Sequence, residues 1–182
     1  MSSLRSRRVP TFAEHEDALR SALVEVAESS FFAFAAPCDA EQFAELVAHP
    51  PVLDPEAPPA PGGWLVTRVS FSGAFCGYVE VALGEALAAQ LLSAFVGLGP
   101  DDPIDEAQLR DSCGEFCNQV CGTWLTRACQ SRRFDLAPPV VVRHPAGWQP
   151  PASEPADEHR GELLITLNDL PLRLSIAFHP ES

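Results

Sequence analysis

Residues 111–122 read DSCGEFCNQVCG, and the other segments of the chain are best understood from this stretch. At about 100° per residue, four of its residues fall within about 60° of one another on one side of a helix. We call these four the polar ridge: Asp111, Glu115, Asn118 and Gly122. The opposite side carries apolar residues: Cys113, Phe116, Cys117, Val120, Cys121, Trp124 and Ala128. The pattern predicts an amphipathic helix that buries one face and presents the ridge outward.

The length and composition indicate one folded domain. The chain has 182 residues, 46% of them hydrophobic, which is enough for a substantial core. We expect a single domain over residues 1–182, with a flexible arm at 1–10 and a proline-rich surface loop at 50–63. No apolar run reaches the length of a membrane span, and the arginine-containing start lacks the apolar segment of a secretory signal. A cytoplasmic location is therefore expected.

The charge balance narrows the class of partner. The formal net charge is -13, and all 12 basic residues are arginines. No basic patch is available to replace the counterions of a nucleic acid, so we expect no nucleic-acid partner and no membrane partner. An acidic protein of this kind suits a partner that presents a positive group at its contact point.

The cysteines are interpreted as packing residues. Three of the six, Cys113, Cys117 and Cys121, follow one another at single helical turns and point the same way, which is poor geometry for a disulfide. No C-x2-C pair exists, so the pattern of a structural zinc site is missing. We predict reduced, metal-free thiols that let the helix pack closely. A thiol or metal site built on these three residues is the alternative.

The remaining elements follow from periodicity and capping residues. The predicted elements are a helix from a capping box at Thr11 and Glu14 to about Ser29, a short helix capped by Asp39 and ending near Ala48, two strands between Trp64 and Leu83, a helix at Glu85–Val96, a central helix capped by Asp102 and ending near Gln130, a strand at 140–144 and a terminal hairpin turning at Asn168 and Asp169. Most strands are linked by hairpins. The fold class is therefore α+β, with an antiparallel-rich mixed sheet of about five or six strands packed against long helices.

The spacing Asp-x3-Glu-x2-Asn, followed by a glycine, resembles the signature of the CheC/CheX family of response-regulator phosphatases. The resemblance extends upstream through VSFSGAFCGYVEVAL and GEALAAQLLSAFVGLG, residues 69–99, which are similar to the family's strand, glycine turn, strand and short helix. Downstream, FDLAPPVVV at residues 134–142 is similar to its loop and proline-led strand. The likeness covers about residues 64 to 144 and implies the fold of a CheX-like member with a single site.

The resemblance implies a phosphatase that hydrolyses the aspartyl phosphate of a CheY-like receiver domain in bacterial two-component or chemotaxis signalling. Because an acyl phosphate is already activated, the main task is to place a water in line with the phosphorus. A carboxamide can accept from that water and donate to the phosphoryl group, so Asn118 is assigned to water positioning. Glu115 is assigned to a salt bridge with the receiver's lysine, which docks and orients the two proteins.

The other ridge residues are assigned to partner binding. Asp111 supports the helix start or the docking of the receiver, and Gly122 leaves room for a receiver loop to approach. The family signature also includes a proline after the helix, which Pro139 or Pro138 matches. The resemblance implies no metal site and no cofactor of the chain's own, because the receiver brings its magnesium. It also makes a homodimer plausible, and a non-catalytic receiver-binding or scaffolding module of the same fold is the alternative function.

The first helix contains a partial copy of the motif, Ser21-x3-Glu25-x2-Glu28. Some family members carry two motifs in pseudo-symmetric halves, but here Glu28 occupies the position of the amide. An ionised carboxylate cannot donate a hydrogen bond, so Glu28 could not orient a water as an amide does. We predict that this copy is an ordinary solvated helix face.

Overall fold

The structure is a computed structural model that describes residues 8–51, 62–99, 102–130, 132–151 and 157–180. Its helices are α1 (Glu16–Ser30), α2 (Ala40–Ala48), α3 (Glu85–Val96) and α4 (Glu106–Ala128). Its strands are β1 (Ala35–Pro37), β2 (Trp64–Gly73), β3 (Cys76–Gly84), β4 (Phe134–Leu136), β5 (Val140–His144), β6 (Arg160–Leu167) and β7 (Leu170–His179). The predicted α+β class is confirmed.

The seven strands form one sheet in the order β1-β6-β7-β3-β2, and β2 then pairs with both β4 and β5. All of these pairings are antiparallel. The expected count of five or six strands is therefore low, and the sheet that is predicted to be rich in antiparallel pairs is antiparallel at every pairing of the described residues. The short strands β1 and β4 have three residues each, too few to show a periodic pattern, and they owe their extended form to pairing with β6 and β2.

The starts of two helices differ from the prediction. The N-cap of α4 is Asp105, which accepts a hydrogen bond from the backbone N of Ala107, and not Asp102. Asp102 instead accepts from the N of Gly99 at 2.7 Å, which closes a turn before the helix. The α1 helix likewise begins later than predicted, at Glu16. The Glu14 carboxylate does accept a hydrogen bond from the Thr11 N at 2.9 Å, but this contact lies in the turn that precedes the helix. Several adjacent acidic residues can each act as a cap, and the sequence does not rank them.

The apolar face of α4 packs into the centre of the core. Its fully buried side chains, with no exposed area, are Phe116, Cys117, Val120, Cys121 and Trp124. The Cys117 sulfur lies 3.6 Å from the Thr67 carbonyl of β2 and 3.7 Å from the Val79 carbonyl of β3. A small side chain at this position lets the helix lie close to the sheet. The predicted division of α4 into a buried face and an outward ridge is thus confirmed for its buried half.

A three-residue connector, Ala137–Pro139, joins β4 to β5 beside α4. Since β4 pairs with one end of β2 and β5 pairs with the other, the connector interrupts this edge of the sheet. The Ala137 N donates to the Ser70 carbonyl at 2.9 Å. Just beyond the connector, Arg110 of α4 donates to the Val141 carbonyl at 2.6 Å. The connector is therefore held at both ends against the sheet and the helix.

The predicted arm and proline-rich loop are described only in part. Residues 1–7 and 52–61 lie outside the described residues. At the end of the predicted arm, Pro10 is buried, and its carbonyl lies 2.8 Å from Nδ1 of His159. The Phe12 N donates to the Glu158 carbonyl at 2.8 Å, so this part of the chain is packed against the start of β6.

Candidate functional site

The polar ridge lies on the side of α4 that faces away from the buried stripe. Asp111 is exposed, whereas Glu115, Asn118 and Gly122 are half-buried. All four sit on one continuous helix, whose backbone is fixed by the packing of Phe116, Cys117 and Trp124 below it. A helix held in this way sets the spacing of the ridge side chains more firmly than a loop could.

The Asn118 carboxamide is free for a ligand. Among the described residues it takes part in no side-chain hydrogen bond, although it is half-buried. A primary amide carries two donor hydrogens and one acceptor oxygen, so this side chain offers both kinds of group to a bound molecule. That combination is what the positioning of a water beside an anionic group requires.

Glu115 is held by its own helix. Nε2 of Gln119 donates to Oε1 of Glu115 at 2.8 Å, one turn further along α4. The partner is a neutral amide and not a cation, so this bond forms no ion pair. The second oxygen, Oε2, has no bond to any described residue and is available to a cationic group of a partner.

The two glycines around Asn118 bring the β4–β5 segment onto the helix. Gly114 and Gly122 lie one turn before and one turn after Asn118. A Cβ atom on Gly114 would lie 3.3 Å from Cβ of Pro139, and one on Gly122 would lie 3.9 Å from Cδ1 of Leu136. Pro139 therefore lies beside Gly114, next to the ridge, and Leu136 lies beside Gly122, which belongs to the ridge. We call Leu136 and Pro139, together with the two glycines that they contact, the apolar flank.

The Asp111 side chain takes part in no hydrogen bond or ion pair with another described residue. Its neighbour Arg110 lies 4.0 Å from Glu106 while donating to the β5 backbone. Arg143 of β5 joins the same network, since it lies 3.5 Å from Glu106 and pairs with the buried carboxylate of Glu85. These contacts tie β5 to the starts of α3 and α4, and Asp111 remains outside them.

The cysteines of α4 face the core and not the ridge. Burial raises the pKa of the Cys113 and Cys121 thiols to about 12, and it raises the pKa of Cys117 as well. Thiols with such pKa values are protonated at neutral pH and are poor nucleophiles and metal ligands. Among the described residues no group of His, Cys, Asp and Glu side chains is arranged to hold a metal ion. The alternative thiol or metal site therefore gains no support.

Two residues of the partial motif in α1 already have partners within the protein. Glu25 forms an ion pair with Arg127 of α4, and the Ser21 hydroxyl donates to the Asp17 carbonyl at 2.8 Å in its own helix. Glu28 is exposed. These contacts are those of a solvated helix face, as the replacement of the amide by Glu28 predicts.

Sequence reasoning missed three contacts of the site. The bond from Gln119 to Glu115 has a local signal, because glutamine and glutamate four residues apart on a helix can interact. The placement of Leu136 beside Gly122 and the bond from Arg110 to Val141 join segments that are distant along the chain. Only the path of the chain between α4 and β5 brings them together.

The comparisons with known proteins agree with this fold. A chemotaxis protein CheX from Desulfovibrio desulfuricans matches with a TM-score of 0.65 and 15% identity, over 91% of this chain and 99% of that one. CheX from Vibrio vulnificus matches with a TM-score of 0.62 and 18% identity, over 90% and 95% of the two chains. A CheX–CheY–BeF3–Mg2+ complex from Borrelia burgdorferi matches with a TM-score of 0.59 and 14% identity, over 91% and 97%. At these identities the likeness shows a shared fold.

No curated protein matches the sequence. Among the described residues no helix combines the length and the apolar character needed to cross a membrane. The family model of the chemotaxis phosphatase CheX matches residues 65–155, which are 91 of the 182 residues and include the whole of α4 and the apolar flank. The chain therefore belongs to the CheX family of chemotaxis phosphatases.

Proposed function

We propose that this protein hydrolyses the aspartyl phosphate of a CheY-like receiver domain. The observation that carries the proposal is the pairing of an unoccupied carboxamide, Asn118, with a carboxylate, Glu115, one turn away on a rigid outward ridge. Membership of the CheX family and the fold shared with a CheX bound to CheY support it. The receiver would supply its own aspartate, lysine and magnesium ion.

In the proposed reaction Asn118 accepts a hydrogen bond from the attacking water and donates one to the phosphoryl group. The water oxygen forms a bond to phosphorus while the bond from phosphorus to the aspartyl oxygen breaks. The receiver regains its carboxylate, and the two protons of the water leave with the phosphate. The acyl phosphate is reactive already, so the contribution of the protein is the position of the water and not a strong base.

The carboxylate of Glu115 would dock the receiver through its lysine. The Gln119 bond occupies only Oε1, so Oε2 is free to receive the ammonium group. An interfacial pair of this kind contributes to orientation and to the rate of association. Asp111 and Gly122 on the ridge, and Pro139 beside it, are proposed to complete the contact surface. The ridge also suits a partner with a positive group because the chain as a whole is acidic.

We further propose one domain for the whole chain, a cytoplasmic location and a homodimer as the assembled form. Support for one domain comes from both ends of the described chain: α1 forms the Glu25–Arg127 ion pair with α4, and β1 pairs with β6. The location follows from the proposed partner, since receivers of two-component signalling act in the cytoplasm.

The direct test is the lifetime of a phosphorylated CheY-like receiver in the presence of a substoichiometric amount of this protein. We expect release of more than one equivalent of phosphate per molecule of protein. Binding to a beryllofluoride-loaded receiver without any phosphate release would replace the phosphatase by the receiver-binding module. Absence of both binding and release would exclude the two together.

A further inference from the structure

The side chains around Asn118 differ in chemistry from the ridge itself. Along the helix, Asn118 is bracketed by Gly114 and Gly122, and the apolar side chains of Pro139 and Leu136 lie beside these glycines. Pro139 stands beside the first glycine and Leu136 beside the second. On the side of the β4–β5 segment, the Asn118 position is thus bordered by two apolar side chains, those of Pro139 and Leu136.

The β4–β5 part of the apolar flank is held in place by hydrogen bonds. The backbone at Ala137 is bonded to Ser70 of β2, and the backbone at Val141 is bonded to Arg110 of α4. Two anchors on either side of a three-residue connector leave little freedom to the residues between and beside them. Leu136 and Pro139 are therefore presented in fixed positions and do not depend on a partner to order them.

Leu136 is apolar and 37% exposed, and its Cδ1 atom lies 3.9 Å from the position that a Cβ of the ridge residue Gly122 would take. The neighbouring strand β5 also exposes two apolar side chains, Val140 and Val142, but these belong to the opposite face of the sheet. Val140 pairs with Arg68 and Val142 with Val66, whereas the adjacent Val141 lies 3.8 Å from the Cβ position of Gly114. Exposed hydrocarbon beside a polar recognition group is the arrangement of a docking anchor.

From this geometry we infer that Leu136 is a receiver-binding residue, and that the apolar flank makes van der Waals contact with the receiver segment bordering the phosphorylated aspartate. The inference rests on the proposed function and names a further part of the same docking surface. Its occupant is the receiver, because the flank is continuous with Asn118 through Gly122. Contact there would also exclude bulk water from the side of Asn118, which strengthens polar interactions at the phosphoryl group.

The flank would act differently from Glu115. An ion pair at the rim of an interface is screened by salt, whereas the burial of an apolar side chain is not. Loss of the Leu136 contact should therefore weaken binding equally at low and high ionic strength. This salt independence separates a direct apolar contact from an indirect effect on the charge of the ridge.

The test measures the Kd of this protein for a CheY-like receiver loaded with beryllofluoride and magnesium, which requires no hydrolysis. Leu136→Ala should raise the Kd on the order of tenfold at every salt concentration. Leu136→Met keeps the hydrocarbon volume and should stay within about twofold of the wild type. Val142→Ala, which removes a comparably exposed valine from the same sheet edge, is the matched control and should leave the Kd unchanged.

A second variant protects the test against a purely structural effect. A methyl group at Gly122 would sit at ordinary contact distance from Leu136, so the fold accepts Gly122→Ala. Alanine is a better helix former than glycine, and this variant should melt at a higher temperature than the wild type. Because the methyl group fills the space next to the flank, the same variant should bind the loaded receiver more weakly. If Gly122 served only the structure of the protein, Gly122→Ala would lower both the melting temperature and the affinity for the loaded receiver.

The inference is overturned if Leu136→Ala binds the loaded receiver as the wild type does, or if Val142→Ala weakens binding to the same extent. The proposed function fails on a different measurement, namely the absence of phosphate release from the phosphorylated receiver by the wild-type protein. A protein that needs Leu136 for binding but releases no phosphate would retain the flank as a docking surface of a binding module.

Discussion

Helices α1 and α4 carry related motifs whose side chains have different neighbours. In α4, Glu115 is held by the neutral Gln119 and keeps one oxygen free, and the Asn118 side chain has no hydrogen bond to another described residue. In α1, Glu25 is already paired with Arg127, a cation supplied by α4 itself. The same spacing therefore yields a site on one helix and an intramolecular contact on the other. What distinguishes them is the availability of the polar groups and not their separation.

The residues on either side of the amide position also differ between α4 and α1. Asn118 has a glycine one turn before it and another one turn after it, and the β4–β5 segment uses this space. Four residues before and after Glu28 stand Val24, on the same helix, and Phe32, which lies beyond the end of α1 and is 74% exposed. Neither position is a glycine, so Glu28 lacks the pair of glycines that brackets Asn118. The α1 face consequently has neither the amide nor the apolar flank.

The largest expected difference between the two helices concerns the amide position. Asn118→Ala should lower the rate of phosphate release on the order of a hundredfold or more, because the water loses its positioning group. Glu28→Ala should leave that rate unchanged. The measurement is phosphoreceiver lifetime at saturating protein, with melting temperature as the control for folding. If Asn118→Ala shortened the lifetime as the wild type does, the assignment of the site to α4 would be wrong.

The carboxylate position should show a smaller difference that depends on salt. Glu115→Ala should weaken association with the loaded receiver on the order of tenfold at low ionic strength. The gap to the wild type should narrow at high salt, where the ion pair of the wild type is screened. Glu25→Ala is the matched control, and it should change only stability, by less than about 1 kcal/mol, because its pair with Arg127 is largely exposed.

Equal losses of affinity in the Glu115 and Glu25 variants would contradict this comparison, since the receiver would then contact both helices. Titrations at two salt concentrations distinguish that outcome from a general effect of the acidic surface.

The support of Glu115 by Gln119 should have a still smaller effect. Side-chain pairs at this spacing contribute about 0.2–0.5 kcal/mol on helices, so Gln119→Ala should weaken receiver binding about twofold. Gln119→Lys should weaken it further, because the introduced ammonium group competes with the lysine of the receiver for Glu115. If the lysine variant bound as tightly as the wild type, the proposed ion pair to the receiver would lose its basis.

The smallest effect is expected from rebuilding the motif on α1. Glu28→Asn, introduced into Asn118→Ala, restores the amide spacing but not the free carboxylate or the apolar flank. We therefore expect no recovery of phosphate release. Recovery to within about tenfold of the wild type would show that spacing alone makes the site, and the contrast between the two helices would have to be abandoned.

Much of this architecture is encoded locally. The helix Glu85–Val96 has the bounds that its sequence predicts, because Gly97 adopts the left-handed conformation, with a φ of 77°, that ends helices. The 3.6-residue period of α4 predicts that Trp124 lies on the side opposite Glu115 and Asn118, and Trp124 is indeed fully buried while the other two are only half-buried. Local capping and periodicity are sufficient in these cases.

The elements that sequence patterns miss depend on partners distant along the chain. Strands β1 and β4 are too short to carry a pattern and are strands only because β6 and β2 pair with them. In the site, the proximity of Leu136 to Gly122 and the engagement of Glu25 by Arg127 are tertiary contacts. The sequence can thus predict which residues share the ridge but not which of their polar groups are left free.

The two glycines of the apolar flank have a consequence for protein engineering. They offer the β4–β5 segment only backbone and hydrogen atoms, so neither position sets a side chain of α4 against residues 136–139. Residues 136–139 could therefore be exchanged as a cassette while α4 is left intact. Partner preference and chemistry would then reside in separate stretches of sequence, and libraries that vary one could be screened without rebuilding the other.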